Sequence, residues 1–238
     1  NPAGMTQLGN TLQFGAALLS VPITIDDAGS RVSTPGTLSR MVPIAGTDSG
    51  DPTGVNLVPN VYLVHRLRSS DTWLGLAVTN PFGLKINYPT DWFGRYDSID
   101  NELLTLDIAP SFAYKINDQW SVGGGLDLQY SEATLSYALP NPFTPHGPTP
   151  GTDALSALEG DDWSAGFNLG GTWQTTETTR LGVHYRSQMQ HALEGSLAVS
   201  GLAGPLAAFN GVTNARTGLN LPEIVSFSLA RNLSPSLT

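Results

Sequence analysis

The chain contains no cysteine and only four histidines in 238 residues. That excludes a disulfide framework and any Cys/His zinc cluster. Charge is scarce as well: Asp, Glu, Lys and Arg make up 13% of the residues, with a net charge of −9. Ordinary globular chains carry roughly 25% charged residues. A net negative field excludes nucleic acid as the expected partner. No apolar run has the length of a membrane-crossing helix. Catalytic signatures are missing too, with no Gly-x-Ser-x-Gly elbow and no phosphate loop. The acidic stretch "SALEGDD" (156–162) lacks a partner pattern for metal or acid–base chemistry. The chain reads as a non-enzyme without cofactor or metal.

What the chain has in abundance is period-two alternation among its 26 glycines and 17 prolines. From Trp163 one row reads Trp163, Ala165, Phe167, Leu169, Gly171, Trp173, and the row between reads Ser164, Gly166, Asn168, Gly170, Thr172, Gln174. "WSVGGGLDLQY" sets Trp120, Val122, Leu126, Leu128 and Tyr130 against Ser121, Asp127 and Gln129. "LTLDIAPSFAYKI" sets Leu104, Leu106, Ile108, Phe112 and Tyr114 against Thr105, Asp107, Ser111 and Lys115. Such rows are strands with one greasy and one polar face.

About eight strands are expected, near 11–24, 58–68, 72–86, 102–116, 120–137, 162–175, 179–199 and 222–231. Short polar linkers at 68–71, 117–119, 175–178 and 232–236 alternate with long separators at 25–57, 87–101, 138–161 and 200–221. An up-and-down antiparallel barrel in an outer membrane gives this rhythm, with tight turns at one end and long loops at the other. Trp73, Trp120 and Trp173 fall at the short-turn ends, and Tyr130 and Trp163 near the long-loop end, as aromatic girdles would. The apolar rows are then expected to face lipid and the polar rows a lumen. A soluble sandwich burying the same rows is the rival.

Several stretches resemble the FadL-like (TodX-like) outer-membrane long-chain fatty acid transporter family, which includes aromatic-hydrocarbon channels. They are "NPAGM" (1–5), "WFGRYDSIDNELLTLDIAPSFAYKINDQWSVGGGLDLQY" (92–130), "LEGDDWSAGFNLGG" (158–171), "RLGVHYRSQMQHALEGS" (180–196) and "LPEIVSFSLA" (221–230). The resemblance implies an all-β transmembrane barrel of about fourteen strands in a Gram-negative outer membrane, its lumen blocked by an N-terminal hatch. Residues 1–10 would be the hatch end and 11–238 a partial barrel of about eight strands. The abrupt ends, at Asn1 and at "ARNLSPSLT", read as cut. A longer protein, or a completing homologous piece, is expected.

The same resemblance implies passive uptake of hydrophobic small molecules, fatty acids or hydrocarbons, with outer-membrane lipid as the surrounding partner. A general polar-solute porin is the alternative. It implies that Asn1, Pro2 and Ala3 form the hatch motif. Asn80, Pro81, Phe82 and Gly83 interrupt the third strand, since Pro81 removes a ladder donor and Gly83 permits a bend. In an ordinary sheet this would be a strand end, and in the family it is the lateral gate. Leu139, Phe143, Leu155 and Leu158, with Leu202, Leu206 and Phe209, are expected to line an external-loop ligand groove. His184, Arg186 and Glu194 fall on the polar phase of strand seven, with Arg186 facing Asp127 or Asp107 in the lumen. One departure stands out: fatty-acid members carry a basic residue near the position of Tyr137.

Overall fold

A computed structural model describes residues 1–33, 41–68, 70–144 and 148–233. After a 3₁₀ turn at Pro2–Gln7 come β1 (Thr11–Ser20), β2 (Arg31–Ser33), β3 (Met41–Pro43), β4 (Val55–Arg66) and β5 (Thr72–Thr79). Next are β6 (Gly83–Asn87), β7 (Asp100–Lys115), β8 (Trp120–Leu139), β9 (Ala154–Thr176) and β10 (Thr179–Arg186). The chain continues through β11 (Met189–Ser200), a second 3₁₀ turn (Gly204–Phe209), β12 (Gly211–Leu221) and β13 (Ile224–Arg231). β2 and β3 form a small hairpin apart from the wall. The remaining strands make one antiparallel sheet in chain order. Three wall strands are interrupted, giving the pairs β5/β6, β10/β11 and β12/β13. Among the described residues the wall therefore has eight strands, as the alternation predicts.

The faces are assigned as expected. Leu126 is 60% exposed and Phe167 44%, whereas Asp127 and Asn168 on the opposite rows are buried. A sealed apolar core would reverse these values. Trp120 pairs with Trp173 and the two rings stack. Tyr130 pairs with Trp163 at the far end of the same two strands. From Trp120 to Tyr130, at about 3.3 Å per residue and a tilt near 40°, the band is roughly 25 Å tall. That is the thickness of hydrocarbon a barrel wall must cover.

Past Tyr130 and Trp163 the pattern inverts. Glu102, Glu132, Glu159, Asp161, Glu194 and Arg216 lie on the outer rows, and Leu84, Leu103, Leu135, Leu158, Leu193 and Leu219 on the inner ones. The upper wall turns leucines inward and acids outward, so its strands lack the greasy outer row that marks the lower half. This explains two corrections. The separators expected at 138–161 and 200–221 shrink to 140–153 and 201–210, because β9 starts at Ala154 and β12 at Gly211.

Trp73 is a third correction. It is 2% exposed on the inner face, packed with Met5, Val64 and Ala113, and its indole N–H donates to Leu8 O at 3.0 Å. It anchors the N-terminal segment and takes no part in the girdle.

Candidate functional site: the lumen and a gap in its wall

The N-terminal segment lies inside the curl of the sheet. Asn1 caps the 3₁₀ turn by accepting from Ala3 N at 3.1 Å, and its amide donates to Val183 O at 2.9 Å and Gly171 O at 3.3 Å. Thr6 Oγ1 donates to Ser121 Oγ at 2.9 Å. The wall makes room by omitting side chains. A β-carbon on Gly170 would collide with the Asn1 side-chain oxygen, and one on Gly123 would sit 2.8 Å from Ala3 N. Asn1, Pro2 and Ala3 are thus brought together against β8, β9 and β10.

Beside this segment is a cavity of about 610 Å³, bordered by Asn1, Met5, Tyr62, Thr79, His184 and Arg186 among others. At its wall Arg186 Nη2 stands 2.8 Å from Asp107 Oδ1, and Arg186 Nε stands 3.4 Å from Asp127 Oδ2. The contacts are close in distance but poorly aligned as hydrogen bonds. Asn168 Nδ2 donates to Asp127 Oδ1 at 2.7 Å. The pairing expected for Arg186 is present with both carboxylates, and His184 borders the same cavity.

Strand seven bends at Ser187 and Gln188 and changes phase. Inner residues are even-numbered in β10 and odd-numbered in β11, as the pairing of Arg186 with Asn168 and of Leu197 with Leu158 requires. Glu194 therefore points outward and meets Arg216 at 3.4 Å, not the lumen side expected from unbroken alternation. The bend carries Met189 and His191 over the inner face of β8, where His191 Nε2 meets Gln129 Oε1 at 3.1 Å. This narrows the lumen. Beyond the narrowing is a second cavity of about 230 Å³, bordered by Leu84, Leu103, Leu135, Leu158, Leu193 and Leu219.

Besides its two outer edges, the described wall is open where β5 gives way to β6. β4 pairs with β5 only from Val61 to Arg66, and β6 pairs only with β7. Val55–Asn60 of β4 thus have no ladder partner on the side facing Asn80–Asn87. Asn80, Pro81 and Phe82 form the break, and Thr105 holds it. Asn80 Nδ2 donates to Thr105 O at 2.6 Å, Phe82 N donates to Thr105 Oγ1 at 3.1 Å, and that hydroxyl donates to Phe82 O at 2.5 Å. Gly83 contributes less than expected. It opens β6 without a left-handed backbone, and a β-carbon there would meet only Leu103 O, at 3.8 Å.

The seven apolar residues expected in an external groove do not form one unit. Leu155 and Leu158 are strand residues on opposite faces of β9, and Leu139 ends β8. Only Leu158 borders the upper cavity. Phe143 does reach the other loop, lying against Gly204, while Leu202, Leu206 and Phe209 sit in or beside the second 3₁₀ turn. Asn141 latches the two loops through Thr152 O and Gly201 O.

Residues 1–238 match the family described as outer membrane protein transport protein (OMPP1/FadL/TodX). The chain belongs to this family. Its members are outer-membrane transport proteins and not enzymes. The chain is 25% identical over 204 residues to a long-chain fatty acid transport protein of Escherichia coli O6:H1, covering 75% of this chain and 45% of that protein. In fold it is similar to a Pseudomonas aeruginosa FadL homologue, with TM-score 0.74 and 21% identity over 99% of this chain and 60% of the other. It is also similar to the Ralstonia pickettii toluene transporter TbuX, with TM-score 0.64 and 19% identity over 99% and 62%. The chain spans about half the length of the curated relatives it matches.

Two features escaped sequence reasoning. Thr105 looks like one more polar-row residue, and only the pairing reveals its role. Arg95 and Asp153, 2.8 Å apart and almost fully buried, tie the 88–99 connection to the start of β9. Arg95 Nη1 also donates to Ala45 O and Tyr96 OH to Asp153 Oδ2. A lone Arg and a lone Asp in separate loops carry no pairing signal in one sequence.

Proposed function

We propose that the full-length protein is a passive outer-membrane channel for hydrophobic compounds. Solutes are taken in at the loop end, held in the leucine-lined upper cavity, and passed along the lumen to the wall gap for sideways release into lipid. Affinity comes from removing apolar area from water, about 25 cal/mol per Å². The N-terminal segment acts as a hatch against straight-through flow, because Asn1 and Ala3 are seated on the wall where glycines leave space. Phe143, Leu202, Leu206 and Phe209 serve first contact at the mouth.

The gap is the observation that carries this reading. A break in strand pairing leaves backbone groups that must find other partners, so a wall left open needs a reason. Here proline removes one donor, and Thr105 and Asn80 occupy the groups next to it. The names of relatives that carry fatty acids and toluene support the solute class.

The test is uptake of a labelled fatty acid and a labelled aromatic hydrocarbon by cells with and without the full-length gene. Protein-dependent uptake of at least one is expected, reduced in Pro81→Ala with barrel assembly intact. Porin-sized ion conductance without uptake of either would establish a polar-solute pore instead.

A further inference from the structure

The lumen charges around Arg186 bear on which solutes can pass, on the reading that this is a channel with a lateral exit. Three charged side chains meet there, two acidic and one basic. Asp107 and Asp127 are each 2% exposed and Arg186 12%. With both carboxylates ionised the group carries −1, and with one proton shared it is neutral. In neither state is the guanidinium free for a third carboxylate.

The position of this group matters as much as its charge. Asp107 pairs with Thr79, the last residue of β5 before the break, and both border the lower cavity. Asp127 lies across the same cavity wall, held by Asn168. Asp107 therefore stands at the lower end of the gap, where β5 breaks off.

Among the described residues, the other cations bordering the two cavities, Arg216 and Arg180, stand away from this group. In the upper cavity the charged bordering residues are Glu102, Glu159 and Arg216, all on outer rows, with Arg216 engaged by Glu194. Tyr137 stands on the inner row of β8 and brings no charge. Asp162 and His191 face each other at 3.5 Å in the narrowing. Arg180 borders the lower cavity but sits beyond Gly182, where the Asn1 side chain approaches, and so on the short-turn side of the N-terminal segment.

We propose that Asp107 and Asp127 form a charge filter beside the wall gap, which passes neutral and cationic hydrophobic molecules and turns back carboxylates. A carboxylate passing this group would be stripped of water next to an acidic excess, with Arg186 already engaged. A neutral solute of the same length meets no such barrier.

The test uses cells carrying the full-length protein and three labelled probes of equal chain length: decanol, decanoate and decyltrimethylammonium. Protein-dependent initial rates near neutral pH give the ratios. Wild type should take up decanol and the ammonium probe at least about tenfold faster than decanoate. Asp127→Asn, which leaves a balanced pair, should narrow the decanol-to-decanoate ratio. The double variant Asp107→Asn/Asp127→Asn, which frees Arg186, should bring it to unity or reverse it. Wild type favouring decanoate would overturn the filter with no variant needed, and so would a ratio unchanged across folded variants. Failure of all three probes to enter would instead defeat the channel reading on which the filter rests.

Discussion

Thr105→Val isolates the device that holds the wall gap. Valine has nearly the shape of threonine but no hydroxyl, so the change deletes the bonds to Phe82 N and Phe82 O without opening a cavity. Thr105 is fully buried. Each lost bond costs about 1 kcal/mol, and more if the Phe82 groups stay away from water. A total near 2 kcal/mol shifts the population of the anchored break by about 30-fold. The Asn80 bond goes to the Thr105 backbone and survives. Folding should be barely affected, since the ladder between β7 and β8 is untouched at this position. Decanol uptake by cells with the full-length protein should fall several-fold. Heat-modifiable gel migration should report normal barrel levels, and Thr105→Ser should behave as wild type. Normal uptake by a well-folded Thr105→Val protein would refute the claim that this hydroxyl holds the gap.

Gly170→Ala should unseat the N-terminal segment, because the added methyl meets the Asn1 side chain. Raised single-channel conductance in planar bilayers is expected, and unchanged conductance would separate Asn1 from lumen closure. Tyr96, in the 88–99 connection, has its phenol pKa raised, first by burial and then by the hydrogen bond to Asp153. A raised folded pKa favours the neutral phenol, so its stabilising contribution is complete below the ordinary tyrosine value of about 10 and declines as pH climbs above it. Proteolysis of the 88–99 connection should therefore accelerate above about pH 10 in wild type, and a Tyr96→Phe protein should lack that component.

The strands between the two girdles were legible because one solvent condition acts along their whole length. Lipid outside and polar lumen inside impose one rule on Trp120 through Tyr130, and the alternation follows it residue by residue. Arg186 was legible for the same reason, as were the acids it meets. The interruption at 80–83 was visible too, with the missing donor of Pro81 as a cause, but not the residue across the strand that holds it. Gly83 drew attention as a flexible residue, whereas the structure relies on Asn80, Pro81 and the hydroxyl of Thr105 across the strand. Cross-strand partners have no signature in a single sequence, and the same holds for Arg95 with Asp153.

What was lost in reading traces to places where the rule changes within one strand. In β9 the outer row runs Leu155, Ala157, Glu159, Asp161 and then Trp163, Ala165, Phe167. The acids give way to aromatic and apolar residues along one unbroken row. A test for greasy alternation stops at Trp163 and assigns the remainder to a loop, although the ladder to β8 continues to Ala154. In strand seven the rule is constant but the register is not: two residues at the bend exchange the faces, so Glu194 turns outward while His191 and Met189 turn in. Both errors fall where the upper cavity and the narrowed lumen are built. A wall of unbroken alternation would enclose a uniform pore, and it is the inversion above the girdle and the phase change at the bend that give this lumen an apolar chamber and a constriction.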